Sequence, residues 1–473
     1  MIIQPHGSPT RREFLRSLAL GAGTLAVAPT LLSLSGCAST SARLRPAGER
    51  LNIGFVGAGG KGRANLDGII GTGENVAALC DIDDTQMEKS FAKSADKHPN
   101  ARKYRDWREL LEKGGDLDAV VISTPDHMHA PVAMAAMAKG LHIYCEKPLT
   151  RTIWEARKLA ALASTPGLAT QMGNQGSANP GLRRGLELLN AGIIGTVREI
   201  HAWSNRPVWP QGLERPAGAD PIPAHLWWDG FIGVAPMRPF KDGVYHTFKW
   251  RGWHDFGSGA FGDMGCHTLN LPFRAFGLAD PIEIEGVATS DHMAETFPKA
   301  STVRFKFAAI TLPQRVLPER TLWWYDGGTK PPADRVPAAL TARGLKGSGL
   351  LIIGETGFIY SEDDYNGKLF LALKGETELK AIEDHPAAKG PAIVLPRAEK
   401  GHYQEWIDAI RGKAPTFSSF SIASKLAETC ILGSIAQRCP GKAMAWDAAA
   451  MRFTNAPDAD ALVTPTYRAG WAL

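Results

Sequence analysis

Charge of one sign is in short supply in this chain. Lysine and arginine (53) barely outnumber aspartate and glutamate (48), a net charge of +5 over 473 residues. No long basic run is present either. That excludes a nucleic-acid protein working by phosphate neutralisation, which needs a basic patch or stripe. Cysteine is equally sparse: Cys37, Cys80, Cys145, Cys266, Cys430 and Cys439. Their spacing fits no zinc motif, so no metal is expected. Cys80 and Cys145 end apolar runs and read as buried free thiols. There is no internal repeat. What remains is 44% hydrophobic, 21% charged and 8% aromatic, which excludes a disordered or fibrous chain. The length predicts two to three domains.

The amino terminus carries an address. Thr10-Arg11-Arg12-Glu13-Phe14-Leu15-Arg16 matches the twin-arginine export signal, and Ser17 to Gly36 is uncharged. Leu34-Ser35-Gly36-Cys37 matches a lipobox, at which the precursor is cut and the cysteine lipidated. Twenty uncharged residues also suffice for a membrane-spanning anchor, although Pro29 and the many small residues count against one. Residues 1–36 are therefore read as a signal peptide and 37–50 as a flexible tether. A periplasmic location is expected, with Cys37 as the only membrane attachment. A freely diffusing cofactor is not expected to be replenished there, so any cofactor carried along would have to be regenerated within each turnover.

Residues 51–172 read as a dinucleotide-binding domain. The apolar run Leu51–Val56 is followed at once by Gly57-Ala58-Gly59-Gly60-Lys61-Gly62, then by a helical stretch. A second run, Val76–Cys80, ends at Asp81. Gly57 permits the tight turn, Gly59 a close approach to a pyrophosphate, and Gly62 close helix–strand packing, with the helix N-terminus favouring phosphate charge. Asp81 lies where an acid binds ribose hydroxyls, which favours NAD, with NADP as the alternative. A plain glycine turn is the competing reading. Strands 119–123 and 141–145 alternate with a helix over 126–139, as in a doubly wound parallel sheet. Ligands bind beyond the carboxyl ends of such strands. Two segments fall there: Thr124-Pro125-Asp126-His127-Met128-His129 and Glu146-Lys147-Pro148.

These two segments resemble the glucose–fructose oxidoreductase and inositol dehydrogenase (Gfo/Idh/MocA) family, and the resemblance extends from residue 51 to the end. It implies that Glu146 binds the nicotinamide ribose and that Lys147 stands near the reacting nicotinamide carbon and the substrate hydroxyl. Thr124, Pro125 and His129 join the cofactor-binding set by the same match. A lysine cation also suits an independent role, stabilising a developing alkoxide; a surface lysine in a turn is the alternative.

Residues 173–473 are assigned to a substrate-binding α+β domain with a mostly antiparallel open sheet. Strands are expected at 196–203, 282–288, 302–307, 321–325, 350–353 and 358–361, and helices at 268–276, 398–411 and 421–438. Loops are expected at 326–328 and 452–457. Residues 203–253 hold six of the thirteen tryptophans. Tyr245, Trp250 and Trp253, with His246 and His254, are the candidates for a sugar-stacking floor; the competing reading is that these aromatics are core. Asp263 and His267 are four apart and share one face of a helix. Asp263 alone reads as an N-cap, and a lone histidine is usually structural. The family resemblance instead implies that His267 is the proton-accepting base and Asp263 its substrate-binding or orienting partner. Imidazole suits that task, because its pKa lies near working pH.

These parts predict an NAD(P)-dependent oxidoreductase taking hydride from a sugar, polyol or glycoside carbon, with a tightly bound, recycled cofactor. A redox-neutral glycosidase or epimerase using the same steps is the first alternative. A non-enzymatic sugar-binding lipoprotein is the second, since fold alone does not give function. The resemblance further implies a homo-oligomer assembled through the second-domain sheet.

Overall fold

The computed structural model describes residues 45–46, 48–291, 293–312 and 315–471. The signal peptide, the lipobox, Cys37 and most of the tether lie outside the described residues. The carboxyl end of the expected tether is anchored rather than free. Arg45 Nε donates to Asp118 Oδ2 at 2.7 Å, and Arg45 also reaches the Asp116 carbonyl.

Six short strands, β1 (Asn52–Val56), β2 (Asn75–Cys80), β3 (Arg102–Tyr104), β4 (Ala119–Ile122), β5 (His142–Cys145) and β6 (Thr170–Met172), form a parallel sheet in the order β3-β2-β1-β4-β5-β6. Every residue of β4 and β5 is buried, as expected of strands covered by helices on both faces. The order reverses between β1 and β4, the topological switch point at which such sheets bind ligands. Register decides which side chains meet there. Val56 pairs with Cys80 and Ile122, Ile122 with Cys145, and Cys145 with Met172. These five residues make one row. The next residue of each strand, Gly57, Asp81, Ser123, Glu146 or Gly173, therefore stands on one rim.

The second sheet contains β7 (Val197–Trp203), β8 (Glu283–Thr289), β9 (Ser301–Phe307), β12 (Arg320–Tyr325), β13 (Gly349–Gly354), β14 (Gly357–Ser361), β15 (Leu369–Leu373), β16 (Lys380–Ala381), β17 (Ala443–Asp447) and β18 (Arg452–Phe453); β10 (Ile310–Leu312) and β11 (Arg315–Leu317) form a separate hairpin. Its order is β16-β15-β14-β13-β7-β12-β9-β8-β17-β18, and all its strand pairs are antiparallel except β7 with β12. In β9, buried and half-buried residues alternate. One face thus packs on helices, among them Gly259–Thr268 and Phe420–Arg438. The expected parallel-plus-antiparallel architecture is what the chain adopts.

Three local readings need correcting. Asp263 is not an N-cap: the helix begins at Gly259, which places Asp263 in its second turn. The apolar stretch after it is not one helix from Thr268; Gly259–Thr268 is followed directly by a separate helix, Asn270–Phe276. Residues 452–457 are not all loop, because Arg452–Phe453 pairs with β17 and Pro457 opens a short helix. The helix Gly401–Ile410 also returns to the first sheet, burying Trp406, Ile407 and Ile410 with Leu51, Ile53 and Phe55. Among the described residues, no helix is long and apolar enough to cross a membrane.

Candidate active site

The glycine turn is built by close approach. Gly57 has φ of +80°, and a Cβ on it would lie 2.7 Å from the Ser123 backbone of the neighbouring strand end. A Cβ on Gly62 would lie 1.8 Å from the Gly57 carbonyl oxygen, so the turn and the helix Lys61–Thr72 fit together only without side chains there. Gly59 makes room in addition for Gln86, whose Cβ would be 2.7 Å from an added methyl. Asp81 Oδ2 accepts from the Gly59 amide at 2.8 Å and Oδ1 from the Asp83 amide at 3.0 Å. Burial raises its carboxyl pKa, against the pull of those amides.

At the rim beyond β5, Glu146 Oε1 accepts from Asn65 Nδ2 at 3.0 Å and Gln175 Nε2 at 3.1 Å. A side chain at Gly173 would run into this carboxylate, 2.6 Å away. His129 braces the two loops: its Nε2 faces the Thr124 carbonyl at 2.9 Å and its Nδ1 the Pro148 carbonyl at 2.8 Å. Lys147 is thereby held between fixed neighbours.

Lys147 Nζ donates to Asp263 Oδ1 at 2.5 Å and to the Asp263 carbonyl at 3.0 Å. Arg251 Nη1 reaches the same Oδ1 at 3.2 Å and Asp126 Oδ1 at 3.3 Å, with its guanidinium 4.3 Å over the Trp250 ring. Ser258 Oγ donates to the other Asp126 oxygen. Burial would raise the Asp263 carboxyl, but Arg251 and then Lys147 outweigh it and hold the carboxyl well below the usual range. Asp263 thus fixes the Lys147 ammonium.

His267 is oriented by Asn174. Asn174 Nδ2 donates to the Cys266 carbonyl at 2.7 Å, so its Oδ1, 2.9 Å from His267 Nδ1, must be the acceptor. Nδ1 therefore carries the proton, and Nε2 keeps its lone pair. Burial, and after it the Lys147 ammonium, push the imidazole pKa well below its ordinary value. The ring packs against Tyr365, with centroids 4.6 Å apart.

One cleft of about 510 Å³ gathers these groups. Of the residues singled out in the sequence, Gly57, Gly59, Asp81, Thr124, Pro125, His129, Glu146, Lys147, Trp250, Asp263 and His267 line it. Gly62 lies inside the turn. Tyr245 and Trp253 do not line the cleft, contrary to the sugar-floor reading. They are core, packed edge-to-face at 4.9 Å within a cluster that includes Trp228, Phe231 and Phe256. His254 also lies off the cleft, whereas His246 lines it. Sequence reasoning missed Asn174, Arg251 and the aromatics Trp209, Phe248 and Tyr365. Asn174 stood one residue past the rim beyond β6, a position that the strand pattern marks. For Arg251, nothing local showed which way the side chain faces.

The cleft fits a dinucleotide. The glycine turn admits no Cβ at Gly57 or Gly62, Asp81 presents a carboxylate at the rim beyond β2, and Thr124 Oγ1 is buried with no hydrogen-bond partner among the described residues. Residues 51–174 match the oxidoreductase family's NAD-binding Rossmann fold, and residues 187–307 match the same family's C-terminal alpha/beta domain. Among curated relatives, the chain is 32% identical over 155 residues to inositol 2-dehydrogenase/D-chiro-inositol 3-dehydrogenase of Lacticaseibacillus casei, and 34% identical over 160 residues to a glycosyl hydrolase family 109 protein of Solibacter usitatus. Each match covers 32% of this chain, and 44% and 35% of the relatives' own lengths, less than half in both cases. Among solved structures, the WlbA dehydrogenase of Bordetella pertussis in complex with NADH and UDP-GlcNAcA has the same fold, with a TM-score of 0.57 and 15% identity over 84% of this chain and 99% of that one. A levoglucosan dehydrogenase in complex with NADH superposes with a TM-score of 0.55 and 17% identity, over 82% of this chain and 98% of that one. Fold, site and both domain matches agree: the chain belongs to the Gfo/Idh/MocA oxidoreductase family, with that family's NAD-binding Rossmann domain followed by its C-terminal α/β domain.

Proposed function

We propose that this protein is an NAD-dependent oxidoreductase acting on a CH–OH group of a sugar, polyol or glycoside, with its NAD kept from one turnover to the next. One observation carries the reading: Lys147 and a neutral His267 line the same cleft as the glycine turn and Asp81. Gly57, Gly59, Asp81, Thr124 and Glu146 would hold the cofactor. Bound NAD would accept hydride from the carbinol carbon and, in a redox-neutral cycle, return it. His267 Nε2 takes the hydroxyl proton, and its Nδ1–H stays on Asn174 throughout. Lys147 Nζ, fixed by Asp263, steadies the oxygen as negative charge develops. Trp209, Phe248, Trp250 and Tyr365 give the cleft apolar faces for a sugar ring. General base catalysis of this kind contributes about 10²–10⁴-fold.

The redox-neutral glycosidase is the second reading. It is favoured by the similarity to glycosyl hydrolase family 109 proteins and to an alpha-N-acetylgalactosaminidase of Shewanella oneidensis, 30% identical over 155 residues. The twin-arginine segment supports export, where a resident cofactor has the advantage. Both readings need the same pair of residues. Lys147→Ala and His267→Ala are each expected to abolish turnover of any sugar, polyol or aryl-glycoside that the wild type uses, while bound NAD is retained. Full activity in either variant would overturn the assignment.

A further inference from the structure

Residues of the 203–258 segment, among them Trp209, Phe231, His246, Phe248 and Arg251, line the cleft as a partial roof, and the proposed chemistry leaves one of its fastenings unused. Asp83, buried beneath that roof, accepts from His246 Nε2 at 2.8 Å, His225 Nδ1 at 3.0 Å, Thr85 N at 2.9 Å and Thr85 Oγ1 at 2.6 Å. The backbones are joined beside it: Trp227 N donates to the Ile82 carbonyl at 2.8 Å, and Asp84 N to the His225 carbonyl at 2.9 Å. From Asp83 the path continues inward. Its amide donates to Asp81, and Asp81 in turn accepts from Gly59. One hydrogen-bonded chain therefore runs from the roof through Asp83 and Asp81 to the glycine turn, and His246, Asp81 and Gly59 all face the cleft. Burial would raise the Asp83 carboxyl, but Thr85 and His246 hold it at about 2. It is an anion at neutral pH, and a buried anion stripped of its donors is costly. The other end of the roof is tied down separately, by Arg251 on Asp126 and by His127 Nε2 on the Phe231 carbonyl at 3.0 Å.

We infer that His225 and His246, clasped on Asp83, are the residues that retain bound NAD: with the clasp made, the Asp81 end of the cleft is covered, and the cofactor leaves only when the roof lifts. The inference rests on the reading of this cleft as an NAD site. The two histidines touch Asp83 and not the reacting atoms, so they are positioning residues, and a rate tests them better than activity does.

The full chain is loaded with NADH, and release is followed by fluorescence while excess lactate dehydrogenase and pyruvate consume whatever becomes free. The double variant His225→Ala/His246→Ala is expected to release NADH at least about tenfold faster, with its association rate changed much less, as when only the bound state is weakened. His246→Gln, which returns an N–H to the place of Nε2, is expected to restore most of the residence time; a merely structural loss would not be rescued this way. If the double variant does not fold, the single His225→Ala, at a half-exposed position, carries the test with an increase of several-fold. Unchanged release rates overturn the clasp. A wild type that exchanges NADH within seconds, yet still more slowly than the variants, supports the clasp and overturns cofactor recycling. A wild type that binds no NADH overturns both.

Discussion

Asn174 decides which nitrogen of His267 is basic. With its amide nitrogen committed to the Cys266 carbonyl, its oxygen holds the Nδ1 proton and leaves the Nε2 lone pair for the proposed proton transfer. Asn174→Ala is expected to lower kcat at least about tenfold with little change in NADH affinity, since tautomer control in other proton-transfer sites is worth that much or more. The same imidazole sets the pH behaviour. Burial and Lys147 lower its pKa well below the ordinary 6.5, so the neutral base persists as pH falls through that value. The kcat profile is expected to stay flat from pH 8 to pH 6; a half-drop near 6.5 would show that His267 titrates as it does in water. Much of this site is legible in the sequence, because Gly57, Asp81, Glu146 and Lys147 follow strands that announce themselves by apolar runs. Arg251 is not, because its partners Asp126 and Asp263 lie on other elements. Tyr245 and Trp253 mislead for a related reason. An aromatic ring serves a core and a sugar site equally well, and Trp250, buried in the same cluster, differs from them in also lining the cleft.

At the scale of elements, the register row from Val56 to Met172 does the positioning, and a later piece of chain, the helix Gly401–Ile410, packs against that sheet. Its length and pattern are readable, but its burial against the first sheet is not, because more than two hundred residues separate it from β6. Trp406 is fully buried there, and Trp406→Ala is expected to cost about 3–5 kcal/mol, seen as a lower urea midpoint with the m-value unchanged. The loop after β12 braces the second sheet instead. Buried Asp326 accepts from Trp324 Nε1, Ser301 Oγ and Gln437 Nε2 at 2.9–3.0 Å, yet burial lifts its carboxyl to about 6 from the ordinary 3.8. The folded state therefore binds the extra proton between these values. The stability this provides is complete below about pH 4 and is lost as pH rises through about 6. Urea unfolding at pH 5 and pH 7 should show the loss in the wild type. Asp326→Asn, which cannot titrate, should lack that part of the pH dependence.

At the scale of the whole molecule, one cleft gathers the residues of the proposed chemistry. The two sheets, expected from runs of alternating strands and helices followed by strands of period two, are present with the predicted parallel and antiparallel characters. The roof between β7 and the helix Gly259–Thr268 was legible only as a tryptophan-rich stretch. Its fastenings at Asp83 and Asp126 come from contacts that no local pattern encodes. A partly roofed cleft that holds the proposed base, the lysine and the cofactor cradle suits the proposed recycling of a resident cofactor. The most direct test counts turnovers. The purified chain, freed of loose nucleotide by gel filtration, is given sugars, sugar pairs and aryl-glycosides with no NAD added. The account predicts many product molecules per protein chain. A strict need for added NAD, with one NADH formed per product, would contradict it.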